Sequence, residues 1–408
     1  MYKEHKKQRV ICIFLSFLLC FLPIVSSLNV IFNVFLGGIS LNTGLLYIIY
    51  FVLLVSCLFS NIRYMSKKLL CALVFFFVSY IVTLVFFPQN VEYMWTTADD
   101  LLTNPTYILL FYGIFGFIVS FYLKDMELFI AIFEKFSVVT VALLAIRFFM
   151  GFIISSSVPE YMTFSYNLLL PTTFVLLLCI KEFKLYRVAI AILGICLIFV
   201  AGCRGALFGA VFSTFIYIFF FGKLDKNIKY RTTILLITLL LIALFFYDPI
   251  LQVVSSKLTG IGLNSRTLEM LLNSSITDDS SRGNILQNTM SQIDLLGHGL
   301  WGDRVILNGR YPHNIIAEIL MDYGWILGSG ILILVTYILL RGLNKADEFK
   351  IIVLCSLLSS GIIKLSFSGS FLGQEPAFYV LIALCVNEIG RTEKATHCKK
   401  SIGENRNG

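Results

Sequence analysis

The sequence predicts an all-α polytopic integral membrane protein with about twelve transmembrane helices and a long external loop between the ninth and the tenth. Three observations carry this. Hydrophobic residues fill 58% of the 408 positions and charged residues only 14%, and the mean hydropathy is +0.87, which is too apolar for a soluble domain of this size. Apolar runs long enough to cross a hydrocarbon core of about 30 Å at about 1.5 Å per residue recur along most of the chain. Lysine and arginine concentrate in alternate loops, as the positive-inside bias requires.

The spans are expected to start near Val10, Thr43, Leu69, Thr106, Phe136, Ser165, Val188, Gly205, Thr232, Tyr323, Ile351 and Gln374. The first follows a basic KEHKKQR and precedes small Ser26 and Ser27, a pattern like a signal peptide. Because the run feeds a multispan chain, it reads as an anchor. The N-terminal tail, Asn61 to Lys68, Lys124 to Lys135, KEFKLYR, GKLDKNIKYR, RGLNKADEFK and the tail after Gly390 each hold at least two basic residues. These become cytoplasmic. The alternate loops Ser27 to Asn42, Pro88 to Pro105 and Ser155 to Tyr166 hold no lysine or arginine, while Glu92, Asp99, Asp100 and Glu160 sit there. Both termini are therefore expected inside.

One boundary needs its own argument. Val188 to Phe221 is 34 residues of nearly unbroken apolar sequence with one charge, Arg204. A single helix of that length would reach about 51 Å, well beyond the core, and would put GKLDKNIKYR outside. The chain is expected to turn back at Ala201-Gly202-Cys203-Arg204-Gly205, on the external face. The same parity places Asp248 to Asp322 outside. The resulting division is residues 1–247 for the first nine helices, 248–322 for the external loop, 323–390 for the last three helices and 391–408 for a basic cytoplasmic tail.

The net charge of +8 then reads as a topology signal facing anionic lipid, and no basic cluster interleaved with aromatics suggests nucleic acid. Nearly all ten cysteines fall within spans and only Cys203 lies near the outer surface, so no external disulfide framework is expected. His5, His298, His313 and His397 lack a metal-ligand spacing. In the external segment, Ile250, Leu251, Val254 and Leu258 share a helical face, as do Ile285 or Leu286, Met290, Ile293 and Leu296. Such helices suit the outer interface.

The most informative stretch is RYPHNIIAEILMDYGWILG, from Arg310 to Gly328. A histidine-asparagine pair there leads an amphipathic turn into an apolar span. Two more features precede it: AGCRGA at the turn between two spans, and SSRGN in the long loop followed by LLGHG. In that order and on one expected face, the three resemble the O-antigen ligase and O-antigen polymerase superfamily of bacterial surface polysaccharide assembly.

The resemblance implies a metal-independent, cofactor-free glycosyltransferase in the bacterial inner membrane. It implies transfer of a glycan from an undecaprenyl pyrophosphate carrier to an acceptor hydroxyl at the outer leaflet. The acceptor is another lipid-linked repeat unit for a polymerase, or the lipid A core for a ligase. It also implies that Arg204 and Arg282 meet the pyrophosphate and that His313 meets the acceptor. The expected partners are the carrier-linked oligosaccharide, membrane lipid and a polysaccharide chain-length regulator.

Elementary chemistry is compatible with those roles. Arginine stays protonated and offers forked donors that match phosphate oxygens, each charge-assisted bond being worth roughly 1.5 to 3 kcal/mol. A sugar hydroxyl is a poor nucleophile, and a neutral imidazole suits acceptance of its proton. Each residue also has a plainer reading. Arg204 is either a pyrophosphate ligand or a helix-end arginine snorkelling to head groups. Arg282 sits where a solvated charge is the default, lacks the aromatic that the family often carries a few residues later, and has a rival in Arg266. His313 is either a base or a polar residue opening a helix with Asn314 as its cap. Asn314, Glu318 and Asp322 follow at four-residue spacing and share a face, which either orients acceptor hydroxyls or is the wet side of an interfacial turn. The family's carboxylate before the glycine matching Gly324 favours Asp322, and either carboxylate competes with His313 as base. Arg147, mid-span in the fifth helix, costs about 2.5 to 3.5 kcal/mol on insertion scales, so it pairs structurally or meets substrate. Lys364 reads as snorkelling.

Within that resemblance, divergence outside the three motifs and richness in phenylalanine, isoleucine and asparagine are similar to those of chains from polymerase loci, so the polymerase is expected over the ligase. A flippase for the same lipid-linked unit is the remaining alternative, since twelve spans also suit a transporter. Against it, the halves look unrelated and most span interiors are apolar.

Overall fold

A computed structural model describes residues 2–35, 43–61, 66–95, 104–155, 161–201, 203–221, 280–373 and 375–389, with single positions 230, 234 and 256. Every regular element among the described residues is helical. They are α1 (Tyr2–Phe35), α2 (Thr43–Asn61), α3 (Lys67–Phe86), α4 (Pro105–Ser120), α5 (Met126–Ser155), α6 (Tyr161–Lys181), α7 (Leu185–Ala201) and α8 (Arg204–Ile216). After the loop follow α9 (Ser280–Ser291), α10 (Gly302–Ile306), α11 (Ile315–Tyr323), α12 (Ser329–Lys345), α13 (Glu348–Leu358) and α14 (Pro376–Ile389).

Among the described residues six helical runs are long and apolar enough to cross a membrane: Glu4–Asn33, Lys67–Phe86, Met126–Gly151, Met162–Lys181, Ile315–Lys345 and Glu348–Ser366. Five shorter apolar helices, Gly44–Ser60, Pro105–Ser120, Leu185–Ala201, Gly205–Phe219 and Pro376–Ile389, stand at further expected spans. The ninth expected span, near Thr232, lies outside the described residues, as does most of the loop before Ser280, including the helix expected over Ile250 to Leu258. Among the described residues, six full-length candidates and five short ones thus stand at eleven of the twelve expected spans.

Local chemistry accounts for the helix starts. Ser66 caps α3 by accepting from the Leu69 amide at 3.1 Å, Asn104 caps the Pro-led α4 through Thr106 N at 3.0 Å, and Asp125 accepts from Leu128 N at 3.0 Å before α5. Asp347 takes both Phe349 N and Lys350 N, at 3.1 and 2.9 Å, before α13. Each satisfies amide groups that a first helical turn leaves without partners. The 34-residue apolar stretch does break where length and charge demanded, with α7 ending at Ala201 and α8 opening at Arg204 after an extended Cys203.

The chain forms two compact units. One comprises Leu19–Tyr50 and Ala131–Ser281. In it α6 packs against α7 and α8, around a core of Val141, Leu144, Phe148, Phe164, Leu168, Leu197, Ile198 and Ala210. Arg187 is held by Glu134 through paired contacts of 2.6 and 3.0 Å and by Glu182 at 2.9 Å.

The other unit comprises Met1–Leu18, Phe51–Ile130 and Arg282–Gly408. Here α11 is anchored by Tyr323 stacking on Phe75 of α3, ring centres 5.9 Å apart, and by Leu320 and Met321 packing with Ile293. The tenth expected span, placed near Tyr323, corresponds to a break at Gly324, which has φ 73° and ψ 175°, between α11 and the helix that continues to Lys345. The amphipathic helix expected through Met290 and Leu296 is shorter than foreseen. It ends at Ser291, Met290 and Leu296 are exposed, and only Ile293 of the later positions is buried. Lys364 does not snorkel: its ammonium pairs with Glu375.

Candidate active site

Two of the motif segments meet directly. The LLGHG segment lies along the C-terminal end of α11 and exchanges backbone hydrogen bonds with it. His298 N donates to Met321 O and Gly299 N to Asp322 O, each at 2.9 Å, while Trp325 N donates to Asp294 O at 3.0 Å and Ile326 N to Leu295 O at 3.3 Å. At the crossing, Gly297 (φ 77°) faces Gly324 (φ 73°) so closely that a Cβ on either would collide with the backbone of the other. Only glycine combines these backbone angles with that approach. From the other side, the buried Asn90 donates through Nδ2 to His298 O and Leu300 O, at 2.8 and 2.9 Å. Leu300 N donates to Thr83 Oγ1 at 2.9 Å.

Asn314 opens α11. Its Oδ1 accepts from Ile316 N and Ala317 N at 3.0 and 3.1 Å, and its Nδ2 donates to Ser366 O at 3.3 Å. The cap expected of Asn314 is therefore formed, and both ends of the amide are engaged within the protein. His313 immediately precedes it with φ 55°, a left-handed backbone uncommon outside glycine. It remains partly exposed. Its ring lies 4.1 Å from that of Tyr311, tilted by 48°.

Glu318 and Asp322 do share a face with Asn314, but the face is not wet. Glu318 is 0% exposed and Asp322 2%. They face a charge cluster built by α10 and by the Ser366-to-Leu372 segment. Arg304 Nη1 contacts Asp303 Oδ1 at 2.7 Å and Glu318 Oε1 at 3.4 Å, and its Nη2 donates to Ser370 Oγ at 2.7 Å. Ser370 donates in turn to Glu318, and Phe371 N donates to Glu318 Oε2 at 3.1 Å. Burial of a charge is tolerable only with such pairing. Among the described residues neither carboxylate oxygen of Asp322 has a hydrogen-bond partner, and the Arg304 charge reaches it only through space.

Three carboxylates thus surround one guanidinium in a site shielded from water. Burial pushes the Asp303 carboxyl above the ordinary aspartate range even against the Arg304 charge. Burial also opposes the charge on Arg304, but the fields of Asp303, Glu318 and Asp322 outweigh it and keep the guanidinium more firmly protonated than usual. Asp303, Arg304 and Ser370 were not among the expected site residues. The available signal was a charged pair, Asp303-Arg304, bracketed by the apolar GLWG and VIL, which favours a buried pair over a solvated one.

The remaining expected residues lie apart in the chain. Arg147 is half-buried in α5 and donates to Ser26 Oγ at 2.9 Å; among the described residues no carboxylate pairs with it. Arg204 is the first residue of α8 and Arg282 the third of α9, while Arg266 lies outside the described residues. Arg147 and Arg204 belong to the unit of α6, α7 and α8, and Arg282, His313, Asn314, Glu318 and Asp322 to the other. His298 is engaged locally, its Nε2 2.9 Å from Gln292 O and 3.6 Å from Asp294 Oδ2. Comparison with protein-family models, with curated proteins and with solved structures returned no match.

Proposed function

We propose that this protein is a membrane glycosyltransferase that polymerises lipid-linked oligosaccharide repeat units of an O-antigen or related surface polysaccharide. The observation that carries the reading is the junction of the LLGHG and HNIIAEILMDYG segments, which leaves His313 partly exposed at the head of a helix whose carboxylates are turned inward. Of the three candidate bases, Glu318 and Asp322 are sealed from water and His313 is partly exposed, which supports His313 as the acceptor-side base.

In this mechanism the acceptor hydroxyl oxygen attacks the anomeric carbon of the donor sugar, and the bond from that carbon to the pyrophosphate oxygen breaks. The hydroxyl proton passes to His313, and the electron pair of the broken bond leaves on undecaprenyl pyrophosphate. Arg204 and Arg282 are assigned to the pyrophosphate, where fixed positive charge stabilises the leaving group. The reaction belongs to the outer leaflet of a bacterial inner membrane and runs without metal or other cofactor.

The test is a surface glycan profile of the source cell lacking this gene, beside a blot of carrier-linked glycan. Core carrying a single repeat unit supports the polymerase. Bare core with long polymer stranded on the carrier means a ligase acting on lipid A core, and bare core with single units trapped on the carrier means a flippase. His313→Ala and Arg204→Ala are expected to abolish polymer while protein in the membrane stays level.

A further inference from the structure

The charge cluster around Arg304 is largely buried, the Arg304 side chain keeping 12% exposure, and it does not end at its own ion pairs. The Arg304 guanidinium carbon lies 5.8 Å from the centre of the Tyr311 ring, inside the range where a cation is attracted to an aromatic face. The same ring also contacts His313, whose imidazole centre is 4.1 Å away. Arg304 is itself fixed at three points, by Asp303, Glu318 and Ser370. A cation anchored at three points thus faces an aromatic ring, and that ring contacts a histidine held in a left-handed backbone.

We propose that Arg304 and Tyr311 are positioning residues for His313: the anchored guanidinium orients the Tyr311 ring, and the ring sets the plane in which the imidazole meets an acceptor hydroxyl. This rests on the reading of His313 as the acceptor-side base. The physical need is clear. An imidazole accepts a proton along a lone pair lying in the ring plane, so a histidine with free side-chain torsions spends most of its time misaligned. The positive φ at His313 sets the backbone from which the side chain projects, and the Tyr311 ring, tilted by 48° against the imidazole, restricts its second torsion. Asn314, next in the chain, fixes the backbone from the other side by capping α11. The same arrangement gives Glu318 a role without contact to substrate, since its carboxylate receives Arg304, Ser370 and the Phe371 amide.

The experiment uses the full chain in detergent with ¹³C-labelled histidine, the His313 signal being the one missing from His313→Gln. In the native protein that signal is expected upfield, displaced by the Tyr311 ring current. Tyr311→Leu should return it to an unstacked position and lower kcat by about 10- to 100-fold with KM little changed, the range expected for misplacement without loss of binding. Tyr311→Phe keeps the ring and should rescue both signal and kcat. Arg304→Lys keeps the charge but loses the fork, and should move the signal partway. If Arg304→Lys fails to fold, the two Tyr311 variants still decide the Tyr311–His313 link. An unmoved His313 signal in Tyr311→Leu overturns the proposal, and so does a moved signal with unchanged kcat while His313→Gln is inactive. Activity retained in His313→Gln would instead remove the catalytic reading of His313, with the ring-current measurement still reporting the contact.

Discussion

Replacing Gly324 with alanine tests the junction on which the site is built. At φ 73° and ψ 175° the residue occupies a region open essentially to glycine alone, so a methyl group there costs about 1 to 3 kcal/mol in backbone strain. The same methyl would strike Gly297 N and Leu295 O and sit 2.5 Å from the Leu296 carbonyl carbon. Relief requires the two segments to separate, which gives up the bonds from His298, Gly299, Trp325 and Ile326, each worth about 1 kcal/mol net. The expected loss is about 3 to 6 kcal/mol, depending on how many of those bonds break. Gly283→Ala is the matched control, because nothing lies within 4 Å of a Cβ there and alanine in an exposed helix gains about 0.5 to 1 kcal/mol over glycine. Thermal unfolding of both variants in detergent, followed by loss of the monodisperse peak, gives the comparison. A Gly324→Ala protein that melts with the native one would refute the close approach and the docking of LLGHG on α11.

Removing the guanidinium by Arg304→Met should cost about 3 to 5 kcal/mol at neutral pH, since it strands buried carboxylates. Asp303 already titrates above its ordinary range because of burial, and without Arg304 that effect is unopposed. A buried acid of this kind carries no penalty below its unfolded pKa, and stability falls as pH rises from there through the folded pKa. The deficit should therefore shrink as pH is lowered toward the ordinary aspartate range, and a pH-independent deficit in unfolding scans would contradict the burial of Asp303. Glu134→Ala should destabilise by about 3 kcal/mol, the lower end for a broken buried pair, because Glu182 still contacts Arg187; equilibrium unfolding measures it, and a neutral result would dissolve the assigned pair. Asn314→Ala should cost about 1 kcal/mol through loss of the α11 cap and speed amide exchange in the first turn of that helix, whereas unchanged exchange at Ile316 and Ala317 would argue against the cap.

The helix break at Arg204 was legible because it follows from length and charge alone: no single span accommodates 34 apolar residues. The cap at Asn314 was legible for a similar reason, since capping is a contact between neighbours in sequence. Helical periodicity also placed Asn314, Glu318 and Asp322 on one face. It said nothing of what that face would meet, leaving open acceptor hydroxyls or water, whereas Arg304 and Ser370, 14 and 52 residues from Glu318, enclose it. Lys364 was misread on the same grounds, its partner Glu375 lying on the far side of an irregular turn.

What the sequence determined by itself was the class of solvent, the positions of most apolar helices and the points where they start or turn, because hydrophobicity and local hydrogen bonding act over a few residues. The tertiary structure decided which charges are sheltered and which reach outward. Pairing Arg304 with Asp303, Glu318 and Ser370, and fitting Gly297 against Gly324, depends on bringing distant segments within a few ångströms, and a buried charge or a strained glycine is stable only when those partners arrive together.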